Sequence, residues 1–143
     1  MRTYAYAAHL AGADADGVTV TFRDLPEAIT GAATAAAART LAADALDAVI
    51  LHRLALGEAV PAPSPLQPGE EWVMLDPATA ARAALAAVMA EQQVTDAALA
   101  ERLGRSLRSV RRLLGGAGTV RTDVVLQALA ALGRPAALTI QEG

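Results

Sequence analysis

Arginine and serine side chains recur at helical spacing in the last third of the 143-residue chain. Guanidinium groups pair with guanine edges and with phosphates, and serine hydroxyls bond either, so these side chains suit a surface that binds duplex DNA. No acidic residue occurs between Arg102 and Thr122. The candidate DNA-binding residues are Arg105, Ser106, Arg108, Ser109, Arg111, Arg112 and Arg121.

Two short helices joined by a tight turn at Gly104 are predicted to position these side chains, because glycine accommodates the positive φ that such a turn requires. Thr95 and Ser106 are the predicted N-caps. Apolar residues with helical spacing lie on both sides of the turn: Leu99, Ala100 and Leu103 before it, and Val110, Leu113 and Leu114 after it. The pattern predicts a helix-turn-helix with residues 106–114 as recognition helix. The alternative is an arginine-coated helix pair in an ordinary bundle.

Charge is divided unevenly along the chain. Residues 1–76 contain four arginines against ten acidic residues, a net charge of −6, whereas residues 77–143 contain eight against five, a net charge of +3. The two halves are therefore expected to meet different partners. The absence of cysteine excludes a disulfide framework and a thiolate metal site. With no run of about eighteen apolar residues, we expect a cytoplasmic protein that does not enter a membrane.

The first half has the pattern of a small antiparallel sheet. Residues 3–11 and 17–23 show the alternation of strands, and the turn between them contains aspartate and glycine, which predicts a hairpin. Residues 28–31 are either a third strand or an extended connection. Residues 71–75, which are apolar from residue 72 onward, are predicted to return to the sheet as a further strand.

A long alanine-rich helix is predicted between these strands. Thr34 caps it, it runs to about residue 56, and Gly57 ends it. The residues expected on its inner face are Leu41, Ala45, Ala48 or Val49, and His52 or Leu56. Four prolines make residues 58–69 a surface connection.

The second half, residues 77–143, is predicted to be a separate helical domain that begins after an aspartate cap at Asp76. Helices are expected at residues 78–92 and, capped by Thr122 or Asp123, up to about residue 132. Residues 115–118 are predicted to be a flexible link. A short strand at residues 136–141 would need a partner, either a second copy of the chain or the N-terminal sheet, and we favour the dimer.

Side chains that could catalyse a reaction are few. His9 and His52 have no acid or cysteine at metal-ligand spacing and are predicted to be partly buried structural residues. The carboxylates Asp14, Asp16 and Asp24 could gather at one end of the hairpin around magnesium, but turn chemistry explains them equally well. Trp72 is expected in the core or in an interface. The glycines near residue 115 follow a helix, which disfavours a phosphate loop. We expect no catalytic residues, metal or cofactor.

Nearly the whole chain resembles the HicB antitoxins of type II toxin-antitoxin systems, in the subgroup that ends in a helix-turn-helix. The similarity lies in the run Val-Thr-Val-Thr-Phe-Arg-Asp-Leu-Pro-Glu-Ala-Ile-Thr at residues 18–30, and in the alanine-rich helix followed by Gly57-Glu58 and prolines at 61–65. It continues in Val-Arg-Arg-Leu-Leu at residues 110–114. One difference is that the family's Gly-Asp-Thr before the long helix is Gly-Ala-Ala-Thr here.

The resemblance implies an α+β fold with two domains. Residues 1–76 would form a β-β-β-α-β domain, a degenerate relative of ribonuclease H, that neutralises a HicA-like toxin, a messenger RNA interferase. Residues 77–143 would form a helix-turn-helix domain ending in a short strand. That domain would form a homodimer or higher even oligomer that binds operator double-stranded DNA and represses its own operon.

Two other functional classes are open at this point. The first is a solitary helix-turn-helix transcriptional regulator without a toxin partner. The second is a metal-dependent nuclease of the ribonuclease H type, which would need a carboxylate cluster that this sequence barely offers.

Overall fold

The computed structural model describes residues 1–115 and 120–142, and they form an α+β structure. Four antiparallel strands form one sheet in the order β3-β2-β1-β4. The strands are β1 (Ala5–Ala13), β2 (Gly17–Phe22), β3 (Ile29–Ala32) and β4 (Glu70–Met74), and helix α1 (Ala35–Ala55) connects β3 to β4. The helices α2 (Pro77–Gln92), α3 (Asp96–Leu103), α4 (Leu107–Gly115) and α5 (Thr122–Ala131) follow. The element order β-β-β-α-β expected for the first half is confirmed.

The hairpin of β1 and β2 has the alternation that its sequence predicts. Ala13 pairs with Gly17 at the turn and Ala8 pairs with Phe22 at the far end. Val18, Val20 and Phe22 are buried, whereas Thr19 and Thr21 between them are exposed, so one face of the sheet is covered. The segment left open as strand or connection is a strand, β3, which pairs with β2.

Helix α1 begins and ends as its sequence predicts, but the inner face predicted for it is wrong. Thr34 caps the helix, since its hydroxyl oxygen accepts a hydrogen bond from the amide of Ala37 at 3.2 Å. The predicted inner residues Leu41 and Leu56 are exposed. The buried residues are Ala38, Ala42, Leu46, Ile50 and Leu54. Because alanine occurs all round this helix, the apolar pattern did not identify the covered face.

The proline-rich connection between α1 and β4 is held against the sheet by side chains. The hydroxyl of Tyr6, a buried residue, donates a hydrogen bond to the carbonyl oxygen of Pro61 at 2.7 Å. Asp24 accepts hydrogen bonds from the amide and the hydroxyl of Ser64 at 2.8 and 2.7 Å. Arg23 donates to the carbonyl oxygen of Pro65 at 2.7 Å. The connection therefore has a fixed course although it contains no helix or strand.

Helix α2 contributes to two hydrophobic clusters. Ala83 belongs to the cluster between α1 and the sheet, and Ala80 and Ala86 pack against the same cluster. Leu85 and Val88 belong to a second cluster, which α3, α4 and α5 complete. The cap predicted for α2 is present, because a carboxylate oxygen of Asp76 accepts from the amides of the first turn. The division predicted after residue 76 therefore falls at the start of a helix whose residues belong to both clusters.

Three local predictions for the C-terminal part need correction or stay open. Residues 136–142 form no strand, because a strand needs a neighbour and the chain supplies none there. Helix α5 begins after Arg121, and no side chain caps it, so neither Thr122 nor Asp123 is its N-cap. The predicted flexible link at residues 115–118 falls largely on residues 116–119, which lie outside the described residues.

Among the described residues, no helix combines the length and hydropathy needed to cross a bilayer.

Replacing Tyr6 with phenylalanine tests the contact with the proline-rich connection. Losing the bond to Pro61 is expected to lower the free energy of unfolding by about 1 kcal/mol near pH 7, as measured by urea unfolding. A variant as stable as the wild type would contradict the importance of this bond.

The same tyrosine predicts a dependence on alkaline pH. Burial is the main factor that raises the pKa of Tyr6 to about 12, whereas an unfolded tyrosine ionises near pH ~10. The folded state therefore keeps a proton that the unfolded chain loses, and stability is expected to fall as pH rises from about 10 to about 12. Urea unfolding of the wild type and Tyr6→Phe at pH 8, 10 and 11 measures this decline, which should be smaller in the variant.

Candidate nucleic-acid interface

The two helices predicted around Gly104 are present, and the residues predicted to cap them and to form the turn between them do so. Gly104 ends α3 in the left-handed conformation, with φ of 63°. The hydroxyl oxygen of Thr95 accepts from the amide of Ala98 at 3.1 Å at the start of α3. The hydroxyl oxygen of Ser106 accepts from the amide of Ser109 at 3.1 Å at the start of α4. We call α3 and α4 the helix pair.

The apolar side chains predicted to hold the helix pair together form its buried side. Leu99 and Ala100 of α3 and Val110 and Leu113 of α4 are buried in the cluster that α2 and α5 complete. The predicted Leu103 and Leu114 are half-buried and pack against the same cluster. Burial of this side leaves the opposite side of α4 to its polar residues.

Three exposed arginines lie on α4 and just before it. Arg108 and Arg112 are four residues apart on one face of the helix, away from the buried Val110, and Arg105 precedes the cap residue Ser106. None of the three forms an ion pair with the described residues. We call them the arginine stripe. Their charges are available to an external anion.

The other predicted DNA-binding residues differ from the stripe. Arg111 is exposed, but its guanidinium lies 3.6 Å from the carboxylate of Asp96. Arg121 forms an ion pair with Asp123, and this guanidinium lowers the pKa of the Asp123 carboxyl. Ser109 is half-buried, and the Ser106 oxygen is used as the cap of α4. The structure brings the helical residues onto one surface, while Arg121 lies at the start of α5.

The sequence analysis missed two residues through which the end of α4 contacts α2 and α1. Arg82 of α2 is buried, and its Nε donates a hydrogen bond to the carbonyl oxygen of Leu113 at 3.1 Å. Burial lowers the pKa of this guanidinium, and the negative charge of Asp47 on α1 acts in the opposite direction. Gly115 meets α1 so closely that a Cβ there would lie 2.6 Å from the carbonyl oxygen of Leu54.

A signal for Arg82 was present in the sequence but ambiguous. It is the single charged residue in the first three turns of α2, and an arginine in an apolar helix is either a solvated charge or a buried donor. Three glycines close together predict a link at Gly115, whereas the structure has this residue as the end of α4. In both cases the decisive partner is a backbone oxygen on another helix, which no local pattern reveals.

The residues weighed for metal chemistry are used elsewhere or lie apart. Asp14 accepts from the amide of Ala35 at the start of α1, and Asp24 accepts from Ser64. In the part of the chain that the structure describes, no three histidine, cysteine or acidic residues gather as metal ligands would. His9 and His52, predicted to be partly buried, are exposed, because His9 faces outward from the sheet and His52 lies outside the buried face of α1. Trp72, expected in the core or an interface, is 47% exposed.

Comparison with known proteins agrees with this architecture. A family model described as HicB-like antitoxin of bacterial toxin-antitoxin systems matches residues 5–84. The chain is 30% identical over 135 residues to Antitoxin HicB of Escherichia coli strain K12, which covers 94% of this chain and 98% of the relative. The chain belongs to the HicB family of antitoxins. Antitoxin HicB 2 of Photorhabdus laumondii is 31% identical over 121 residues, 85% of this chain and 86% of the relative.

Membership of the HicB family gives the chain an antitoxin role and a toxin as partner. It also bears on the one difference noted in the sequence, the missing aspartate before α1. The first turn of α1 contains no acidic residue, yet a carboxylate oxygen of Asp14 accepts from the amide of Ala35 at 2.8 Å. An acidic side chain from the β1–β2 turn thus reaches the N-terminus of α1, where a negative charge is favourable.

Replacing Gly115 with alanine tests how tightly α4 is seated. Helix propensity alone favours alanine by up to about 1 kcal/mol, but a Cβ at this position would collide with backbone atoms of Leu54 and Ala55. We expect the variant to be less stable by about 1–3 kcal/mol in urea unfolding. Gln127→Ala on the exposed side of α5 is the control and should change stability by less than about 0.5 kcal/mol. A stabilised Gly115→Ala would show that α4 is not held against α1.

Proposed function

We propose that this HicB-family antitoxin neutralises a HicA-type mRNA interferase toxin with its N-terminal half, residues 1–76. We also propose that it represses its own operon by binding operator DNA through residues 77–143. The observation that carries the second part is the arginine stripe: two exposed guanidiniums on one face of α4 and a third just before the helix, with no carboxylate of the described residues paired to them. The protein acts by binding and is not an enzyme, and its place of action is the cytoplasm.

The geometry of the helix pair supports DNA as the ligand of the stripe. Helix α4 has nine residues, its apolar side is buried against α2 and α5, and its arginine side faces solvent. A helix of this kind fits the major groove, where arginines contact guanine edges or phosphates. Arg105, Arg108 and Arg112 would make these contacts directly. Arg111 and Arg121 would first exchange their present carboxylate partners for DNA, so we expect smaller contributions from them.

Charge supports a different partner for the N-terminal half. All four of its arginines are in ion pairs with acidic residues of the chain. The carboxylates of residues 1–76 remain in excess, with a net charge of −6 over that range. Such a surface attracts a basic protein, and a ribonuclease that binds RNA has a basic surface. Acidic side chains would occupy or screen the groups that otherwise hold phosphates.

A homodimer or higher even oligomer would match an operator with inverted repeats. Leu138 and Ile140 are 78% and 68% exposed and alternate with polar residues in the tail after α5. A second copy would supply the strand neighbour that the tail lacks within one chain, and would set two α4 helices one or more DNA turns apart. The alternative function, a solitary transcriptional regulator without a toxin, uses the same helix pair.

Toxin binding distinguishes the two functions. The full chain, purified with the polypeptide encoded by the adjacent reading frame, is expected to form a stable complex measurable by isothermal titration calorimetry. A fragment of residues 1–92, which keeps α2 and therefore closes the first hydrophobic cluster, should retain the affinity while losing the helix pair. Circular dichroism confirms that the fragment is folded. Absence of binding by the full chain would favour the solitary regulator.

Alanine in place of Arg108 and Arg112 tests DNA binding by the stripe. Each lost phosphate contact is expected to reduce the slope of log affinity against log salt by about one. Fluorescence anisotropy with an operator duplex measures this slope between about 50 and about 300 mM salt. Arg39→Ala together with Arg23→Ala is the matched control, since it also removes two arginine charges, here from residues paired with Glu71 and Glu70. An unchanged slope in the double variant would show that the stripe does not touch DNA.

A further inference from the structure

Helix α1 has a second, mostly apolar stripe beside its buried face. It recurs at each turn, and its members are exposed except for the half-buried Ala45. They are Leu41, Ala45, Ala48, His52 and Leu56. Leu41 is 41% exposed and Leu56 is 59% exposed. The stripe runs for about 22 Å, given the rise of 1.5 Å per residue. Single exposed leucines are ordinary, but a periodic stripe along one helix marks a contact surface.

Part of this stripe lines a groove of about 530 Å³. Its apolar wall includes Ala48, Val49 and Leu56, and Glu27 and Glu58 stand at its edge. Arg53 also lines the groove, but its guanidinium is bound to Glu27 and to the carbonyl oxygen of Ala59. The arginine is therefore occupied within the chain, and its hydrogen bond lowers the pKa of the Glu27 carboxyl.

The charges that remain around the groove and the stripe are negative. Glu58 and Asp44 form no ion pair with the described residues, and Asp44 lies on α1 beside Leu41 and Ala48. Negative charge excludes nucleic acid as the occupant. A second copy of the chain would bring the same carboxylates against themselves, which costs free energy. Charge and apolar surface together favour a basic protein that presents an apolar segment.

We propose that the toxin partner docks on this face of α1, with an apolar segment in the groove at Leu56 and lysines or arginines opposite Glu58 and Asp44. The proposal rests on the proposed function, because it takes the toxin as the basic partner. It places the contact on the helix and not on the outer face of the sheet.

The outer face of the sheet offers a comparison surface. Trp72 and Met74 are exposed there, beside Pro63 and Pro65, in a groove of about 760 Å³. Arg2, the charged residue in that groove, is paired with Glu91. This surface is apolar but has no uncompensated charge to select a basic partner. Met74, 51% exposed, is thus a suitable control position.

Charged substitutions at the two surfaces test the proposal in the full-length protein. We expect Leu56→Glu and Leu41→Glu together to weaken toxin binding at least roughly 30-fold in calorimetry, the change typical of a central interface residue. Met74→Glu should bind within about 3-fold of the wild type. Because all three side chains are exposed, thermal unfolding should be nearly unchanged. Glu58→Lys should also weaken binding, most strongly at low salt.

Other outcomes would contradict either the docking surface or the proposed function. Wild-type affinity of the Leu41→Glu, Leu56→Glu variant, or strong weakening by Met74→Glu, would overturn the docking surface and leave the antitoxin function intact. If the wild type itself binds no toxin, the proposed function fails and the docking surface with it. Sedimentation of the Leu41→Glu, Leu56→Glu variant measures its self-association. If the variant loses self-association but keeps its affinity for the toxin, a second copy of the chain covers the groove and the proposal is overturned.

Discussion

The structure depends on the burial of α2 between two hydrophobic clusters. Small residues on one side, such as Ala83, let α2 lie close to the core of the sheet, while Leu85 and Val88 on the other side fill the cluster of the helix pair. Arg82 lies on the same helix and holds the last turn of α4 through the carbonyl oxygen of Leu113. The sheet and the helix pair are therefore fixed to one another by a helix that contributes to both hydrophobic clusters.

Much of this fold could be predicted from local chemistry. Strand alternation around Val20, the caps at Thr34 and Ser106, and the glycine turn at residue 104 are effects of neighbouring residues, and they occur as expected. The positions that were wrong depend on distant partners. The inner face of α1, for example, is set by the sheet and by α2. The strand predicted for the tail after α5 depends on a second copy of the chain, and it stays a prediction because one chain supplies no neighbour for it. The exposed arginines of α4 were predictable because they need only helical spacing and the absence of nearby acids. Sequence spacing does not show that Arg121 is paired with Asp123.

The surface charge of the molecule depends on its ion pairs as well as on its composition. In the first half, each arginine is held by a carboxylate, for example Arg23 by Glu70 and Arg39 by Glu71. The Arg39–Glu71 pair is exposed and contributes little to stability. The effect of these pairs is on the surface field, because they cancel the positive charges of the first half and leave its excess acids unopposed. The arginines of α4 have few acidic residues nearby, so their positive charge faces solvent. The same chain thus has one surface with an excess of negative charge and one with an excess of positive charge.

The alanine-rich sequence of α1 explains how one helix carries two apolar surfaces. Its covered face has alanines in the first half and larger apolar residues in the second, and it packs on the sheet, where Tyr6 and Phe22 are the largest buried side chains. The covered residues are Ala38, Ala42, Leu46, Ile50 and Leu54. Leu41 and Leu56 lie outside this core. The helix thus has two sets of residues at helical spacing, one buried by the sheet and α2 and one exposed along its length. Folding accounts for the first set, and the docking surface proposed above accounts for the second.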